Sequence, residues 1–501
     1  MTDEKKPCDP SDRDRIRVEY DRDWRRELRR SMTPKDRIRI PRQPMPQRDA
    51  FTRGRDFAEV NLGLSPEAAR SEARRCLDCA APGCISGCPV AIDIPTFIKQ
   101  IERGEFAAAG RTLKTTNSLP AVCGRVCPQE TQCESVCNLK RAAGVPVAIG
   151  HLERFAADFE RSAASAPCCR PDPGAVKVAV VGSGPAGLTA AGELARKGYA
   201  VTVFEALHEA GGVLAYGIPE FRLPKEVLRA EVECLRGLGV EMRLNFIVGR
   251  TATLDQLRDE GFRAFFIGTG AGLPNFMKIP GENLVGVYSA NEYLTRVNLM
   301  RARDFPAVDT PVPRARRAAV IGGGNVALDS VRTARRLGAE PAMIIYRRSR
   351  QEMPARIEEI KHAEEEGVEI LLLTAPVCYK GDEKGRLRSM VCLRMELGAP
   401  DSSGRRRPVP IPGSEFEIEI DLAVVAVGQS PNPLLFECQP ELRRGRWGTI
   451  EVEENTLAAS APGVFAGGDI VRGGATVILA MGDARRAAAG IEAYLREEHD
   501  S

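Results

Sequence analysis

Short apolar runs that alternate with glycine turns and amphipathic stretches dominate the chain from Lys177 onward. The stretch KVAVVGSGPAGLTAAGELARKGYAVTVFEA (177–206) has the pattern of strand, glycine turn, helix and strand. The stretch RAAVIGGGNVALDSVRTARRLGAEPAMIIYRR (317–348) repeats that order. Strands that alternate with helices predict parallel sheets. We therefore expect an α/β fold with two nucleotide-binding domains of the Rossmann type.

Residues 41–165 have a helical pattern instead, with loops around a group of cysteines. SPEAARSEARRCL (65–77) opens with a serine that can cap a helix, followed by proline at the first helical position and then glutamate. PTFIKQIERGEFAAAGRTLKTTN (95–117) predicts two amphipathic helices separated at Gly104. The proline-rich segment APCCRPDPG (166–174) predicts a linker between this helical domain and the α/β part.

The first glycine turn follows the apolar run VAVV and has the spacing GxGxxG. The first glycine permits the tight turn, the second lets the backbone approach a pyrophosphate, and the third lets the helix pack closely on the strand. The helix N-terminus offers unpaired N–H groups to the phosphates. Glu205 ends the next strand, where a carboxylate can accept hydrogen bonds from a ribose hydroxyl. The predicted dinucleotide-binding residues are Gly182, Gly184, Pro185, Ala186, Gly187 and Glu205; a glycine-rich turn without a ligand is the alternative.

The second glycine turn differs from the first at the end of its second strand. Where the first unit has Glu205, this unit has YRRSR (346–350). A carboxylate would repel a 2′-phosphate, whereas the guanidinium fork suits phosphate oxygens. The sequence thus predicts a site that prefers NADPH to NADH, with a solvated basic strand end as the alternative. The predicted binding residues are Gly322, Gly324, Asn325, Val326, Arg347 and Arg348.

Composition and charge narrow the class of protein. The 501 residues carry a formal net charge of +3, so the overall charge gives no reason to expect nucleic acid as a partner. No apolar run is long enough to span a bilayer, and the charged first thirty residues lack the apolar core of a secretory signal. We expect a cytoplasmic protein. Residues 1–40 are dense in charge and predict a solvated arm, with a docking arm for a partner subunit as the alternative.

Eight of the 15 cysteines lie between residues 76 and 137, in two runs. In a reducing cytosol, clustered thiols indicate metal ligands rather than disulfides. The runs resemble the iron–sulfur spacing that ends in Cys-Pro more than the separated pairs of a zinc ribbon. We predict iron–sulfur chemistry, with zinc as the main alternative. The runs are Cys76, Cys79, Cys84 and Cys88, followed by Cys123, Cys127, Cys133 and Cys137.

Three further stretches resemble the strand ends of the pyridine nucleotide–disulphide oxidoreductase superfamily: AFFIGTGA (264–271), LAVVAVGQSPNP (422–433) and GVFAGGDI (463–470). The resemblance implies FAD at the first turn, NADPH at the second, and an FAD domain that is split by the NADPH domain. It also implies that residues 211–227 form a loop over the flavin. Further cofactor contacts are implied at Gly212, Gly270, Gly468 and Asp469. The cysteines after the linker, Cys234, Cys378, Cys392 and Cys438, are solitary, so we expect no redox-active pair beside the flavin.

Longer matches resemble the small subunit of the NADPH-dependent glutamate synthase family. They include RCLDCAAPGCISGCPVAIDIP (75–95), CGRVCPQETQCESVCNLK (123–140), AIGHLERF (148–155) and YRRSRQEMPAR (346–356). The large subunit of NADH-dependent ferredoxin:NADP oxidoreductase and the N-terminal part of dihydropyrimidine dehydrogenase share this module. The resemblance implies two [4Fe–4S] clusters with crossed ligation. One takes Cys76, Cys79, Cys84 and Cys137, and the other takes Cys88, Cys127, Cys133 and Glu153. Cys123 is then spare, although spacing alone would select it.

The resemblance implies an electron-input subunit that passes electrons from NADPH through FAD and the clusters to a second redox subunit. No side-chain acid or base is expected to act. Position 2 is Thr and no length remains for a glutaminase, so we expect a hetero-oligomer with a glutamate synthase large chain. A small flavin and [2Fe–2S] subunit of an electron-bifurcating complex is the alternative, and an iron–sulfur scaffold with purely structural nucleotide folds is a third. The expected domains are an arm (1–40), an iron–sulfur domain (41–170), the first FAD half (171–288), an NADPH domain (289–425) and the second FAD half (426–501).

Overall fold

The N-terminal part is helical, as its sequence pattern predicts. A computed structural model describes residues 16–163, 172–401 and 404–500. Short helices alternate here with the cysteine-bearing loops, and a 3-10 turn lies at Gln129–Thr131. The helices are α1 (Asp23–Ser31), α2 (Pro34–Arg39), α3 (Ala50–Arg53), α4 (Pro66–Arg74), α5 (Gly83–Ser86), α6 (Ile94–Arg103), α7 (Phe106–Lys114), α8 (Pro120–Val126), α9 (Asn138–Ala143) and α10 (Ile149–Ala163).

Local sequence signals explain where several of these helices begin and end. The Ser65 side chain caps α4 by accepting a hydrogen bond from the backbone N–H of Ala68, with proline at the first helical position. Gly104 has a φ of 86° and ends α6, because this left-handed conformation is open to glycine without a steric penalty. The predicted division into two helices at Gly104 is confirmed.

The first glycine turn belongs to a five-stranded parallel sheet with the strand order β16-β4-β1-β2-β3. Strand β16 comes from the C-terminal part of the chain and pairs with β4, so the chain leaves this sheet and returns to complete it. The strands are β1 (Lys177–Val181), β2 (Ala200–Phe204), β3 (Glu241–Arg243), β4 (Phe262–Ile267) and β16 (Val464–Ala466). The helices around it are α11 (Pro185–Arg196), α12 (Val213–Tyr216), α13 (Lys225–Gly237), α14 (Leu254–Asp259), α18 (Leu434–Cys438), α19 (Asp469–Arg472) and α20 (Val477–Asp500).

The second glycine turn belongs to a second parallel sheet, in the order β6-β14-β7-β8-β9, with an antiparallel sheet of β10 to β13 beside it. A short pair joins β5 to β15. The strands are β5 (Leu273–Pro274), β6 (Val287–Ser289), β7 (Ala318–Ile321), β8 (Ala342–Tyr346), β9 (Glu369–Leu372), β10 (Thr374–Gly381), β11 (Leu387–Pro400), β12 (Arg406–Pro410), β13 (Phe416–Glu419), β14 (Leu422–Val425) and β15 (Gln429–Ser430). The helices are α15 (Ala290–Asn298), α16 (Asn325–Arg336) and α17 (Ile357–Glu365), with 3-10 turns at Ala302–Asp304 and Arg350–Glu352.

The helical part and the first sheet share one apolar core. That core contains Phe97 of α6, Leu188 of α11 and Ile478 of α20, all almost fully buried. The second sheet has its own clusters on its two faces, so it forms a separate packing unit. The α/β class with a helical N-terminal domain and two Rossmann-like units is confirmed. Among the described residues, no helix is long and apolar enough to cross a membrane.

The N-terminal arm, residues 1–40, differs from the solvated arm that its sequence predicts. Residues 1–15 lie outside the described part, but the rest of the arm is not simply solvated. Arg25 is only 1% exposed, pairs with Asp78 and donates to Thr96 Oγ1 at 2.7 Å. Arg37 is equally buried and pairs with Glu102 at 3.0 Å. The high density of charge predicted a solvated arm. The arginines are buried instead, because they pair with buried carboxylates that are distant in the sequence.

Candidate functional site

The first glycine turn has the geometry that close approach of a pyrophosphate requires. Gly182 has a φ of 96°, and a Cβ there would lie 2.6 Å from the Gly268 carbonyl oxygen. A Cβ at Gly187 would lie 1.9 Å from the carbonyl oxygen of Gly182, so the helix packs directly on the turn. A Cβ at Gly184 would meet nothing within 4 Å, which leaves an open cradle at the start of α11. Pro185 and Ala186 form the first turn of that helix.

Glu205 lies beside this turn with both carboxylate oxygens already hydrogen-bonded. One oxygen accepts the backbone N–H of Ser183 at 2.8 Å and the Ser183 hydroxyl, and the other accepts the backbone N–H of Leu207 at 2.8 Å. A carboxylate has about four acceptor positions, so capacity remains for a ribose hydroxyl. The structure therefore places Glu205 at the predicted strand end, fixed in orientation by its own chain.

The other predicted flavin residues converge on the same turn. Gly212 has a φ of 53°, and a Cβ there would lie 2.7 Å from Gly184 Cα. Gly270 follows β4 and faces open space. Gly468 follows β16, with a φ of 80° and its N–H donated to Asp483 Oδ2 at 3.1 Å. Burial raises the pKa of Asp469, whose Oδ1 accepts the N–H of Ala475 at 3.1 Å. Because these glycines have no side chains, a flavin nucleotide could approach the backbone closely here.

The second glycine turn is built similarly. A Cβ at Gly322 would lie 2.5 Å from the Ala426 carbonyl oxygen, and Gly324 has only Pro354 Cγ at 3.9 Å. Asn325 begins α16, and its Oδ1 accepts the backbone N–H of Arg356 at 3.0 Å. The next residue, Val326, is exposed.

The two arginines after β8 differ in environment, and one departs from expectation. Arg348 is buried, donating from Nε to the Arg406 carbonyl at 2.9 Å and pairing with Asp401 at 2.8 Å. It therefore braces the antiparallel sheet and is not directed to a nucleotide phosphate. Arg347 is exposed and, within the described residues, has no hydrogen bond or ion pair. The spacing in the sequence predicted that both arginines bind the 2′-phosphate. Their environments differ because Arg348 pairs with Asp401, which is distant in the sequence.

One internal cavity brings together four of the predicted iron ligands. Cys88, Cys127, Cys133 and Glu153 line it, although they come from three separate segments of the chain. Ile478 of α20 lines the same cavity. The cavity therefore borders the domain that contains the first glycine turn. Cys123 is not among the lining residues. Its thiol contacts Asn117 Oδ1 at 3.7 Å and Met481 Sδ at 3.5 Å.

The electrostatics of this cavity fit a cationic inorganic group. Burial raises the pKa of Glu153 to about 8, against a hydrogen bond from the Asn117 amide at 2.8 Å. Burial also raises the pKa of the Cys88 thiol to about 12. A hydrogen bond with Cys123 and burial raise the pKa of Cys127, while the Arg356 cation opposes them. Buried acids of this kind are costly to ionise alone, and a bound metal reverses that cost because coordinated thiols lose their protons.

The remaining predicted thiols form a second group. Burial raises the pKa of Cys84 most, and the neighbouring thiols of Cys76, Cys137 and Cys79 raise it further, so these four thiols are near enough to interact electrostatically. Burial raises the pKa of Cys76 to about 11. Cys79 is only partly buried and precedes exposed Ala80. Within the described segments, no three His, Cys, Asp or Glu residues gather closely enough to hold a single metal ion.

Three residues around the cavity escaped the sequence analysis. Asn117 donates to Glu153, Gln129 lines the cavity, and Arg356 donates to Gln129 Oε1 at 3.0 Å. Arg356 ends the matched motif YRRSRQEMPAR, which was the only available signal for it. Gln129 lies in the matched stretch 123–140 and Asn117 ends the stretch 95–117, but in neither stretch did the pattern distinguish these residues from their neighbours.

Comparisons with known proteins agree with these sites. Residues 53–165 match the family model for dihydropyrimidine dehydrogenase domain II, 4Fe-4S cluster, and residues 176–484 match that for pyridine nucleotide-disulphide oxidoreductase. The glutamate synthase (NADPH) small chain of Azospirillum brasilense is 39% identical over 466 residues, which cover 92% of this chain and 96% of the relative. The NADP(+)-dependent formate dehydrogenase subunit beta of Moorella thermoacetica is 42% identical over 438 residues; the match covers 83% of this chain and 60% of that subunit. FprA of Mycobacterium tuberculosis shares the fold, with a TM-score of 0.55 and 20% identity over 65% of this chain and 86% of FprA.

The fold, the two glycine turns and these matches define a pyridine nucleotide–disulphide oxidoreductase with an N-terminal iron–sulfur domain. The predicted class of enzyme, with flavin, pyridine nucleotide and [4Fe–4S] cofactors, is confirmed. Within that class, the chain belongs to the family of the glutamate synthase small chain.

Proposed function

We propose that this chain is an NADPH-linked electron-transfer subunit with one FAD and two [4Fe–4S] clusters, working with a second redox subunit. One observation carries the proposal. Helix α20 begins just after the flavin motif at Gly468 and packs Ile478 against the cavity of Cys88, Cys127, Cys133 and Glu153. The proposed flavin site and the thiol-lined cavity therefore both adjoin the start of α20.

FAD would be held by the first glycine turn and the residues that converge on it. When bound, it supplies hydride exchange with a nicotinamide and single-electron exchange with iron–sulfur clusters. The chain contributes binding and a fixed cover. The Lys225 ammonium donates to the carbonyls of Leu214 and Leu223, each at 3.1 Å, and to that of Ile218. These three bonds lie within residues 211–227 and fix the conformation of that segment. The contact to the glycine turn is the Gly211 N–H, which donates to the Ser183 hydroxyl at 2.9 Å.

The iron ligands are proposed in two sets. Cys88, Cys127, Cys133 and Glu153 would hold the cluster near the flavin domain, as their shared cavity supports. The remaining set is Cys76, Cys79, Cys84 and Cys137. Because the Cys79 thiol is less buried than that of Cys88 and precedes exposed Ala80, we place the exit toward a partner at this second cluster. Cys123 is excluded from both sets.

NADPH would bind at Gly322, Gly324, Asn325 and Val326, with its 2′-phosphate on Arg347. The exposure of Arg347 supports this choice, and Arg348 is no longer assigned to the phosphate. The names of the relatives agree: both the Azospirillum glutamate synthase and the Moorella formate dehydrogenase are NADP-linked enzymes.

The partner is proposed to be a glutamate synthase large chain, because the match spans almost the whole length of the Azospirillum small chain. Several relatives are beta subunits of other redox enzymes, including the NADPH-Fe(3+) oxidoreductase of Geobacter sulfurreducens, which is 35% identical over 88% of this chain and 67% of that subunit. A different redox subunit, such as a small flavin and [2Fe–2S] protein, is therefore the second candidate.

The test is anaerobic purification of the native complex, with analysis of iron, sulfide and flavin and identification of the co-purified subunits. We expect about eight irons and one FAD per chain, and bleaching of the visible absorbance by NADPH much faster than by NADH. Glutamine plus 2-oxoglutarate should stimulate NADPH oxidation if the partner is the glutamate synthase large chain. Colourless protein without iron or flavin would overturn the proposal.

A further inference from the structure

Arg356 joins the nucleotide-binding unit to the loop that carries Cys127. Its side chain is only 6% exposed. Nη1 donates to the carbonyl of Arg125 at 2.7 Å, and Nη2 donates to Gln129 Oε1 at 3.0 Å. Arg125 and Gln129 lie on either side of Cys127, so one guanidinium fork grips both flanks of that residue.

The other end of Arg356 is fixed to the second glycine turn. Its backbone N–H donates to Asn325 Oδ1 at 3.0 Å, and Asn325 is the first residue of α16. Two residues earlier, Pro354 packs toward Gly324. The residue after Arg356 also crosses the interface, because the N–H of Ile357 donates to Glu130 Oε1 at 3.1 Å. A nucleotide bound at the turn would therefore press on the segment that carries Arg356.

Gln129 could transmit such a displacement because it is packed tightly on one side and borders the cavity on the other. It lines the same cavity as Cys127, Cys133 and Glu153. A Cβ at Gly150 of α10 would lie only 2.2 Å from Gln129 Nε2, so the amide is packed tightly against the helix that carries Glu153. The path from Asn325 to the cavity thus needs only two side chains, Arg356 and Gln129.

We propose that Arg356 is a positioning residue that couples nucleotide occupancy at the second glycine turn to the reduction potential of the cluster at Cys88, Cys127 and Cys133. Hydrogen bonds and charge around a cluster set its potential. The inference rests on the proposed function, since it requires that cluster and that nucleotide site. Glu358 Oε2 also lies 3.0 Å from Nη2, so the fork geometry of Arg356, and not its charge alone, carries the coupling.

The experiment is a redox titration of both iron–sulfur EPR signals with and without 2′,5′-ADP, a redox-inert fragment of NADPH. Wild-type protein, Arg356→Gln and Arg356→Lys are compared. Arg335→Gln is the matched control, because Arg335 lies near the other end of α16 and binds Glu340 and the Glu366 carbonyl. We expect 2′,5′-ADP to shift one signal in the wild type and the control. Both Arg356 variants should lose that shift, since neither side chain can hold Arg125 and Gln129 together.

Linkage supplies a second measurement. The 2′,5′-ADP dissociation constant should differ at least threefold between oxidised and reduced wild-type protein, which equals a potential shift of about 28 mV at 59 mV per decade. This ratio should fall to about one in Arg356→Gln. Equal potentials with and without 2′,5′-ADP in the wild type, or a shift that survives in both Arg356 variants, would overturn the inference. Absence of clusters or of 2′,5′-ADP binding would instead refute the proposed function, so the two failures are distinguishable.

Discussion

At the residue scale, Glu153 is the most distinctive proposed ligand, because a carboxylate oxygen is harder than a thiolate. We predict that Glu153→Gln shifts the EPR signal and potential of one cluster and leaves the other unchanged. Cys123→Ser is the comparison variant, because the Cys123 thiol contacts Asn117, Met481 and the proposed ligand Cys127 but does not line the cavity. It should keep full iron content and both signals. If Cys123→Ser loses a cluster while Glu153→Gln keeps both unchanged, the ligand assignment must be exchanged.

The proposed preference for NADPH depends on one side chain, that of Arg347. We predict that Arg347→Glu raises the KM for NADPH at least tenfold, because a carboxylate repels the 2′-phosphate that the guanidinium would bind. The KM for NADH should change little. Steady-state dye reduction with each nucleotide measures both values.

Arg348→Gln serves as the comparison for that variant. Its guanidinium pairs with Asp401, so we expect a lower thermal midpoint with an unchanged ratio of the two KM values. A selective loss of NADPH affinity in Arg348→Gln would show that Arg348 binds the 2′-phosphate, as its spacing indicated.

At the element scale, helix α1 supports the loop that carries Cys76 and Cys79 of the second thiol group. Arg25 and Arg29 of α1 both pair with Asp78, which lies between Cys76 and Cys79 and is almost fully buried. Asp78→Asn leaves buried Arg25 without its counter-charge, which typically costs about 3–5 kcal/mol. We predict loss of up to half of the bound iron and one EPR signal. The matched variant Asp23→Asn, at an exposed position of the same helix, should retain both. Full iron content in Asp78→Asn would show that α1 does not support the cluster.

Elements that depend on local signals were predictable, and contacts between elements were not. The Ser65 cap, the Gly104 stop and both glycine turns arise from neighbours in the sequence, so periodicity and turn chemistry suffice. The burial of Arg25 depends on Asp78, 53 positions away, and the grip of Arg356 on Gln129 spans 227 positions. No short pattern contains such pairings. The proposal that Cys123 is not a ligand could come only from family resemblance at the sequence level, because its spacing is as suitable as that of the other cysteines.

At the scale of the whole molecule, the interface between the two packing units contains buried ion pairs. The iron–sulfur and flavin parts share one apolar core, whereas the nucleotide unit has its own. Glu366, fully buried, accepts hydrogen bonds from Arg332 and Arg336 of α16 and from Arg53 of α3. Polar interfaces of this kind between units permit relative motion more readily than a continuous apolar core. The position of the nucleotide unit therefore depends on the ionisation of a few groups.

Glu366 makes this dependence testable. Burial alone would raise its pKa, but hydrogen bonds and charge from Arg332 and Arg336 lower it to about 2. Because the folded pKa lies below the unfolded value, its stabilisation is fully present above about pH 4.5 and is lost as pH falls toward 2. We predict that Glu366→Gln, which removes the charge at pH 7, speeds hydrogen exchange in α3 and α17 by at least tenfold. Glu364→Gln, near the end of α17, removes an exposed pair with Arg350 of the preceding 3-10 turn and should have little effect. Equal exchange in both variants would show that the apolar contacts alone hold the nucleotide unit in place.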